Sequence, residues 1–197
     1  AYMLLNSDGD VTVAHRLLTV AIESALAERA HDREALSRGL YTLVVLCHYA
    51  GRVDYWEDFD DLIARMGQTA PVDALMLVET HAAPLTASEW ALAELDREVG
   101  RLDDTLDIEL VIRTAIAGFY TDRLSGCRPA LDRIARDGRE SGAVASALMA
   151  LNMITFDDLH AGRWEAAEQA AAEAWELSEE LGYRLYGLSG LLLHGPR

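Results

Sequence analysis

Apolar residues recur at spacings of three and four along nearly the whole chain, and no stretch alternates with period two for long enough to make a strand. The pattern predicts a succession of amphipathic helices. Asp10 can cap a first helix running to about Arg29, and Asp32 a second from Arg33 to Ala50 that stops at Gly51. Val53–Met66 forms a third, ended by Gly67. Pro71 opens a fourth, to about Ala82, and Thr86 or Ser88 starts a fifth, with Glu89 in its first turn and Gly100 at its end. A long sixth helix is expected from Thr105 to about Leu124. Pro129 fits the first turn of a seventh that reaches Arg139, and Ala143–Ala161 and Trp164–Leu181 follow. A last helix runs from Tyr183 to about His194, ahead of Pro196, making about ten in all. Short loops between them force neighbours into antiparallel hairpins.

One turn comes back. FDDLHAGRWEAA at Phe156–Ala167 is echoed by YTDRLSGCRPAL at Tyr120–Leu131, which places Gly126 and Gly162 36 residues apart. A third copy, HYAGRVDYW, has its glycine at Gly51, 75 residues before Gly126, leaving room for two units with a degenerate turn near Ala83–Thr86. A partial copy, SDGDVTVAH, has Gly9, 42 residues before Gly51. Two-helix units with periods of roughly 34 to 45 residues are the mark of a tetratricopeptide-like solenoid. The expected fold is therefore all-α: a single helical-repeat domain over residues 1–197, built as a tetratricopeptide-like right-handed α-α superhelix.

Residue 1 is not methionine, the first repeat lacks most of its leading helix, and Tyr183–His194 is the leading half of a repeat without its second helix. Solenoids need polar caps, whereas Leu191, Leu192 and Leu193 would present an uncovered face. The expectation is a piece of a longer protein that associates, as a homodimer for example, through an exposed terminal face.

With Gly162 as the turn residue, Ala167 and Ala174 fall at the small positions of the second helix and Trp164 at a core aromatic site after the turn. The leading helices then direct Met149, Asn152, Phe156 and His160 to an inner face. The equivalent residues before Gly126 are Arg113, Ile116, Tyr120 and Arg123, and those before Gly51 are Arg38, Tyr41, Val45 and His48. Such a face can hold a peptide, an anionic small molecule or another domain, with arginine forks as donors and aromatic rings as flat apolar contacts. Equally, its polar groups can solvate the face or pair with the abundant carboxylates.

Net charge sharpens the partner list. At −16, with arginine as the sole cationic residue besides histidine, the chain lacks the clustered base that phosphate backbones require, so direct nucleic-acid contact is not expected. No apolar run of 18 residues makes a transmembrane helix, and no signal peptide is evident. Cys47 and Cys127 read as reduced, buried thiols of a cytoplasmic protein, and no Cys/His cluster has zinc spacing.

Catalytic patterns are weak, and neither enzymatic activity nor a cofactor is expected. Glu79 and His81 are close in sequence but point apart on a helix. Asp60–Asp61, Asp103–Asp104 and Asp157–Asp158 read as solvated acidic helix ends. Gly126 and Gly162 lack the Lys-Ser/Thr of a phosphate loop, Ser7–Asp10 resembles a calcium loop for four residues only, and Ser141–Gly142 has no nucleophile-elbow context.

Four stretches, LLNSDGDVTVAHRLL (Leu4–Leu18), LYTLVVLCHYAGRVDYWEDF (Leu40–Phe59), FYTDRLSGCRPALDRIARDGRESGAVASALMAL (Phe119–Leu151) and LHAGRWEAAEQAAAEAWELSEELGYRL (Leu159–Leu185), resemble the helical-repeat region of large, ATPase-containing LuxR-family transcription regulators of the MalT type. The resemblance is weakest over about Gly67–Asp104, and DGRESGAVASA is its most specific element. It implies a regulator whose nucleotide-binding and helix-turn-helix domains lie outside this segment. The segment would then bind a protein, peptide or small-molecule effector and the flanking domains of its own chain. The alternative is a peptide-binding scaffold with no part in transcription.

Overall fold

The computed structural model describes residues 10–27, 32–67 and 70–182, all helix and connecting turn with no strand among them. The helices are α1 Val11–Ala27, α2 Arg33–Ala50, α3 Val53–Met66, α4 Val72–Ala82, α5 Glu89–Val99, α6 Ile108–Tyr120, α7 Arg128–Ser141, α8 Val144–His160 and α9 Trp164–Leu181. The expected helix Tyr183–His194, its Leu191–Leu193 face and the Gly9 turn lie outside the described residues.

Four helix starts, those of α1, α2, α5 and α6, follow side-chain oxygens. Asp10 Oδ1 accepts from Thr12 N at 2.8 Å and Asp32 Oδ1 from Glu34 N at 2.9 Å, each satisfying an amide the helix itself leaves bare. Ser88 Oγ serves α5 by accepting from Ala91 N at 3.2 Å, and Asp107 Oδ1 serves α6 by accepting from Leu110 N at 3.0 Å. Helix ends follow glycine: Gly51, Gly142, Gly162 and Gly182 all take positive φ, between 61° and 79°.

Contacts divide the chain into two compact units, residues 1–91 and 92–197. The first has a core of its own around Leu40, Leu43, Leu46, Phe59 and Leu62, contributed by α2 and α3 and joined by Ala14 and Ile22 of α1. In the second, Val111, Ala115, Leu131, Ile134, Leu148, Leu151 and Ala174 form another core, drawn from α6 to α9. Ala167 and Ala174 are fully buried, as their small-residue positions predict.

The close approach of α7 and α8 depends on Gly138. A Cβ there would lie 2.8 Å from Ala147 Cβ and 3.0 Å from the backbone oxygen of Ala143. Arg133, on the same helix, gathers the preceding turn by donating to the carbonyls of Leu102, Asp103 and Thr105, each at 2.9 Å.

Two expectations about the helices change. Trp164 is not in the core: it is 63% exposed, and Trp175, three turns along the same side of α9, is 51% exposed. The sixth helix ends at Tyr120 rather than near Leu124. Asp122 takes φ 61°, and Arg123 N–H turns back to the carbonyl of Gly118 at 2.7 Å. Gly118 permits this fold-back, because a Cβ there would come within 3.2 Å of the Arg123 and Leu124 backbone.

Gly138→Ala tests the packing. Helix propensity favours alanine by about 1 kcal/mol, but overpacking against a backbone that cannot yield costs about 1 to 3 kcal/mol. The substitution is expected to lower Tm in a thermal melt; an increase would contradict the close α7–α8 contact.

Candidate functional site

The recurring turn has a sharper form than its glycine. At Gly51, Asp122 and Gly162 a residue with left-handed backbone is followed at once by an arginine: Arg52, Arg123 and Arg163. After Asp122 and Gly162 that arginine's N–H bonds five residues back, Arg123 N to Gly118 O at 2.7 Å and Arg163 N to Asp158 O at 2.8 Å. The next helix starts at Val53 after the first turn and at Trp164 after the third, but the second turn inserts the 3-10 segment Leu124–Cys127 before Arg128. The 36-residue spacing therefore aligns α7 with α9, whereas the ends of α6 and α8, set by Asp122 and Gly162, are 40 residues apart. Gly126 is not the left-handed residue of its turn. Glycine is needed there because a Cβ would lie 2.7 Å from Val99 Cγ1.

The four-residue slip is close to one helical turn, so the leading helices keep their inner-facing side while individual equivalences move. Tyr120 corresponds to His160, and Ile116 to Phe156. Arg123 leaves the helix altogether and sits in the turn, its Nε on Asp96 Oδ1 at 2.7 Å and its Nη1 on the carbonyl of Thr121 at 2.6 Å.

In the second unit the structure brings several predicted residues together. Phe156 of α8 lies 4.9 Å, centroid to centroid, from Phe119 of α6, and His160 stacks on Phe119 at 5.3 Å. Tyr120 meets Phe119 edge-on at 5.2 Å. Phe119, itself half-buried, is the hub of this aromatic group, and its spacing along α6 is that of an ordinary core residue, so nothing in the sequence singles it out. Asn152 is buried and donates from Nδ2 to the carbonyl of Leu148 at 2.9 Å. Ile116 and Met149 are half-buried beside the core.

Arg113 is the electrostatic anomaly of α6. It is 6% exposed, and its Nε and Nη1 have no hydrogen-bond partner. A buried guanidinium with two of its nitrogens unbonded is costly unless something anionic completes it.

In the first unit, Arg38 is exposed on α2 and pairs with Glu34 one turn earlier. Tyr41 is buried and meets His81 edge-on at 5.6 Å. His81 is neutral: burial, outweighing its hydrogen bond to the carbonyl of Leu77, pushes its pKa down to about 4. Val45 belongs to the core, and His48 is exposed.

Asp157 and Asp158 are not solvated. They are 4% and 1% exposed and are gripped by two arginines. Arg128 Nη1 lies 2.9 Å from Asp157 Oδ2 and 2.7 Å from Asp158 Oδ1, while Arg163 contacts the same carboxylates at 2.6 and 2.7 Å. Burial alone would raise the pKa of Asp158, but the bonds from Arg128 and Arg163 outweigh it and hold the group below the usual carboxylate range. Asp60–Asp61 and Asp103–Asp104 are exposed, as expected.

Cys47 and Cys127 are fully buried free thiols, pushed up to about 12 chiefly by burial, so neither is a thiolate at neutral pH. Among the described residues no three His, Cys, Asp or Glu side chains are placed to hold a metal ion, and no helix is long and apolar enough to cross a membrane. No protein-family model, curated protein or solved structure matches the chain.

The Asp158 cluster makes stability depend on acid. A carboxylate held below its unfolded value stabilises the fold above the unfolded pKa, and that contribution is lost as pH falls through the folded pKa. Tm is expected to fall as pH drops below about 4. Asp158→Ala should cost about 2 kcal/mol at neutral pH, at the low end because both arginines keep an exposed edge, and should flatten part of the acid slope. An unchanged acid slope in the variant would contradict the assignment.

Proposed function

We propose that this chain is the sensor segment of a LuxR-type transcription regulator: a tetratricopeptide-like right-handed superhelix of helix hairpins, cytoplasmic, that binds an effector and relays its presence to ATPase and helix-turn-helix domains of the parent protein. The regulator assignment rests on the sequence resemblance. The repeat assignment is supported by the left-handed residue and arginine at Gly51–Arg52, Asp122–Arg123 and Gly162–Arg163. The binding assignment is carried by one observation, the buried Arg113 with two unpartnered nitrogens on a helix that also contributes Phe119 and Tyr120 to an aromatic face.

Those features suit an anion bearing an apolar body. The guanidinium fork takes a carboxylate or phosphate by two bonds, and rings such as Phe119, Tyr120 and Phe156 provide apolar contact. A ligand that completes Arg113 in one arrangement of the helices and not in another gives the differential affinity that any relay requires. Small shifts per repeat then accumulate along the array. No catalytic role is assigned to any residue.

Exposed Trp164 and Trp175 on one side of α9 favour a second reading, a peptide- or protein-binding scaffold without a part in transcription, since exposed tryptophans are common anchors of interfaces. The coding sequence on either side of this segment separates the two: flanking phosphate-loop and helix-turn-helix motifs support the regulator, and neither motif supports the scaffold.

Arg113→Met tests the site. Removing an uncompensated buried charge is expected to raise the ligand-free Tm by about 3 °C, corresponding to about 1 kcal/mol. It should also abolish the stabilisation of about 2.7 kcal/mol that a carboxylate or phosphate metabolite gives the wild type at about 100 times its Kd. A lower ligand-free Tm with the ligand response intact would assign Arg113 to structure alone.

A further inference from the structure

The exposed side of α9 carries one short pattern twice. WEAAE at Trp164–Glu168 returns as WELSE at Trp175–Glu179, eleven residues later. Eleven residues are close to three full helical turns, so the two tryptophans stand within about 20° of each other around the axis and about 16 Å apart along it. Both remain exposed, at 63% and 51%. Ala171, which is buried, falls between them on the same side and leaves a shallow saddle. A single exposed apolar residue needs no explanation, but two indoles in register along one helix form a stripe.

The repeat also fixes the charge beside the stripe. Glu168 and Glu179 each lie one turn beyond a tryptophan, and Glu165 and Glu176 each follow one directly, further round the exposed arc. All four are exposed, and among the described residues none has an arginine partner. Glu173, outside the pattern, is the carboxylate of α9 that takes one, Arg139. The stripe is therefore apolar along one edge and uniformly anionic along the other.

We propose that this face docks a cationic amphipathic helix of a partner protein. Apolar side chains of the partner seat on the saddle between the indoles, and its lysines or arginines reach Glu168 and Glu179 or lie over the indole faces. The spacing of the two motifs requires a partner helix of at least three turns. Charge excludes the competing occupants: a second copy of this chain, at −16, an anionic membrane and a nucleic acid are all repelled by the same carboxylates. The inference rests on the scaffold reading, which uses the same tryptophans, and adds the chemistry of what is bound. It does not involve Arg113.

The probe is a leucine–lysine peptide about 14 residues long in amphipathic helical order, titrated calorimetrically into the 197-residue chain at about 0.15 M salt. One-to-one saturation is expected, with a blue shift of tryptophan fluorescence along the same isotherm. A leucine–glutamate peptide of the same order should not bind. A serine–lysine peptide of equal charge should bind at least about tenfold more weakly, which separates docking from general attraction to an acidic chain. Trp164→Gln with Trp175→Gln should weaken the leucine–lysine peptide about tenfold or more, as should Glu168→Gln with Glu179→Gln, whereas Trp90→Gln, an exposed indole on α5, should leave it unchanged. Circular dichroism verifies that these surface variants fold. Stabilisation by a carboxylate or phosphate metabolite, which reads the Arg113 site, should persist in the tryptophan pair variant, and the flanking coding sequence decides the scaffold reading separately. Absence of saturation up to about 1 mM, equal binding of the serine–lysine peptide, or undiminished affinity in the tryptophan pair variant would overturn the surface. A blue shift produced by anionic phospholipid vesicles in place of the peptide would overturn it in favour of a membrane contact.

Discussion

The geometry of the second unit depends on four side chains at the Gly162 turn. Asp157 and Asp158 close α8, Arg128 opens α7, and Arg163 precedes α9, so one cluster ties three helix ends together. Two carboxylates this deeply buried would repel each other and lose hydration. They are tolerable because two guanidiniums fill their lone pairs and keep their own outer edges in water. Arg128 and Arg163 are respectively 27% and 49% exposed, which limits the desolvation they suffer. With the last turn of α8 held from one side, Phe156 and His160, one turn apart, are presented on another side to Phe119. The ion cluster thus belongs to the scaffold and positions the aromatic face without being part of it.

Helices were largely legible from periodicity and punctuation. Arg33–Ala50, Val53–Met66 and Trp164–Leu181 match their expected bounds because a capping aspartate or a terminal glycine marks them. The register was less legible. Sequence similarity between the Gly126 and Gly162 segments is strongest in the following helices, which are 36 residues apart, and this conceals the extra Leu124–Cys127 turn. Asp122, an aspartate in the left-handed region, carries no glycine signal, whereas Gly126 four residues later does. Burial of Asp157 and Asp158 was hidden for a related reason: their partners Arg128 and Arg163 come from two other elements, and paired carboxylates at a helix end usually face water. Trp164 shows the reverse case, a large apolar residue at a plausible core position that the structure leaves 63% exposed.

The candidate site was legible as a set of residue types and much less as a constellation. Tyr120, Phe156 and His160 do gather, but around Phe119, which has no polar feature to draw attention. Arg123 is spent on Asp96, Arg38 on Glu34, and Asn152 on the backbone of its own helix. Arg113 differs from these arginines in being buried with incomplete bonding. The distinction between a paired surface arginine and an incomplete buried one is three-dimensional, and no spacing rule captures it.

The proposed binding site stands or falls on completion of Arg113 by an anionic ligand. Nitrogen-detected NMR of the arginine side chains reads this directly, because the Nε–H of each arginine reports its own hydrogen bond. On addition of a carboxylate or phosphate metabolite that stabilises the chain, the Arg113 resonance should move downfield along a single-site isotherm and its exchange with water should slow, while Arg128 and Arg163, already paired, stay in place. An Arg113 resonance unmoved at saturation, with the shift appearing on other arginines, would contradict the account.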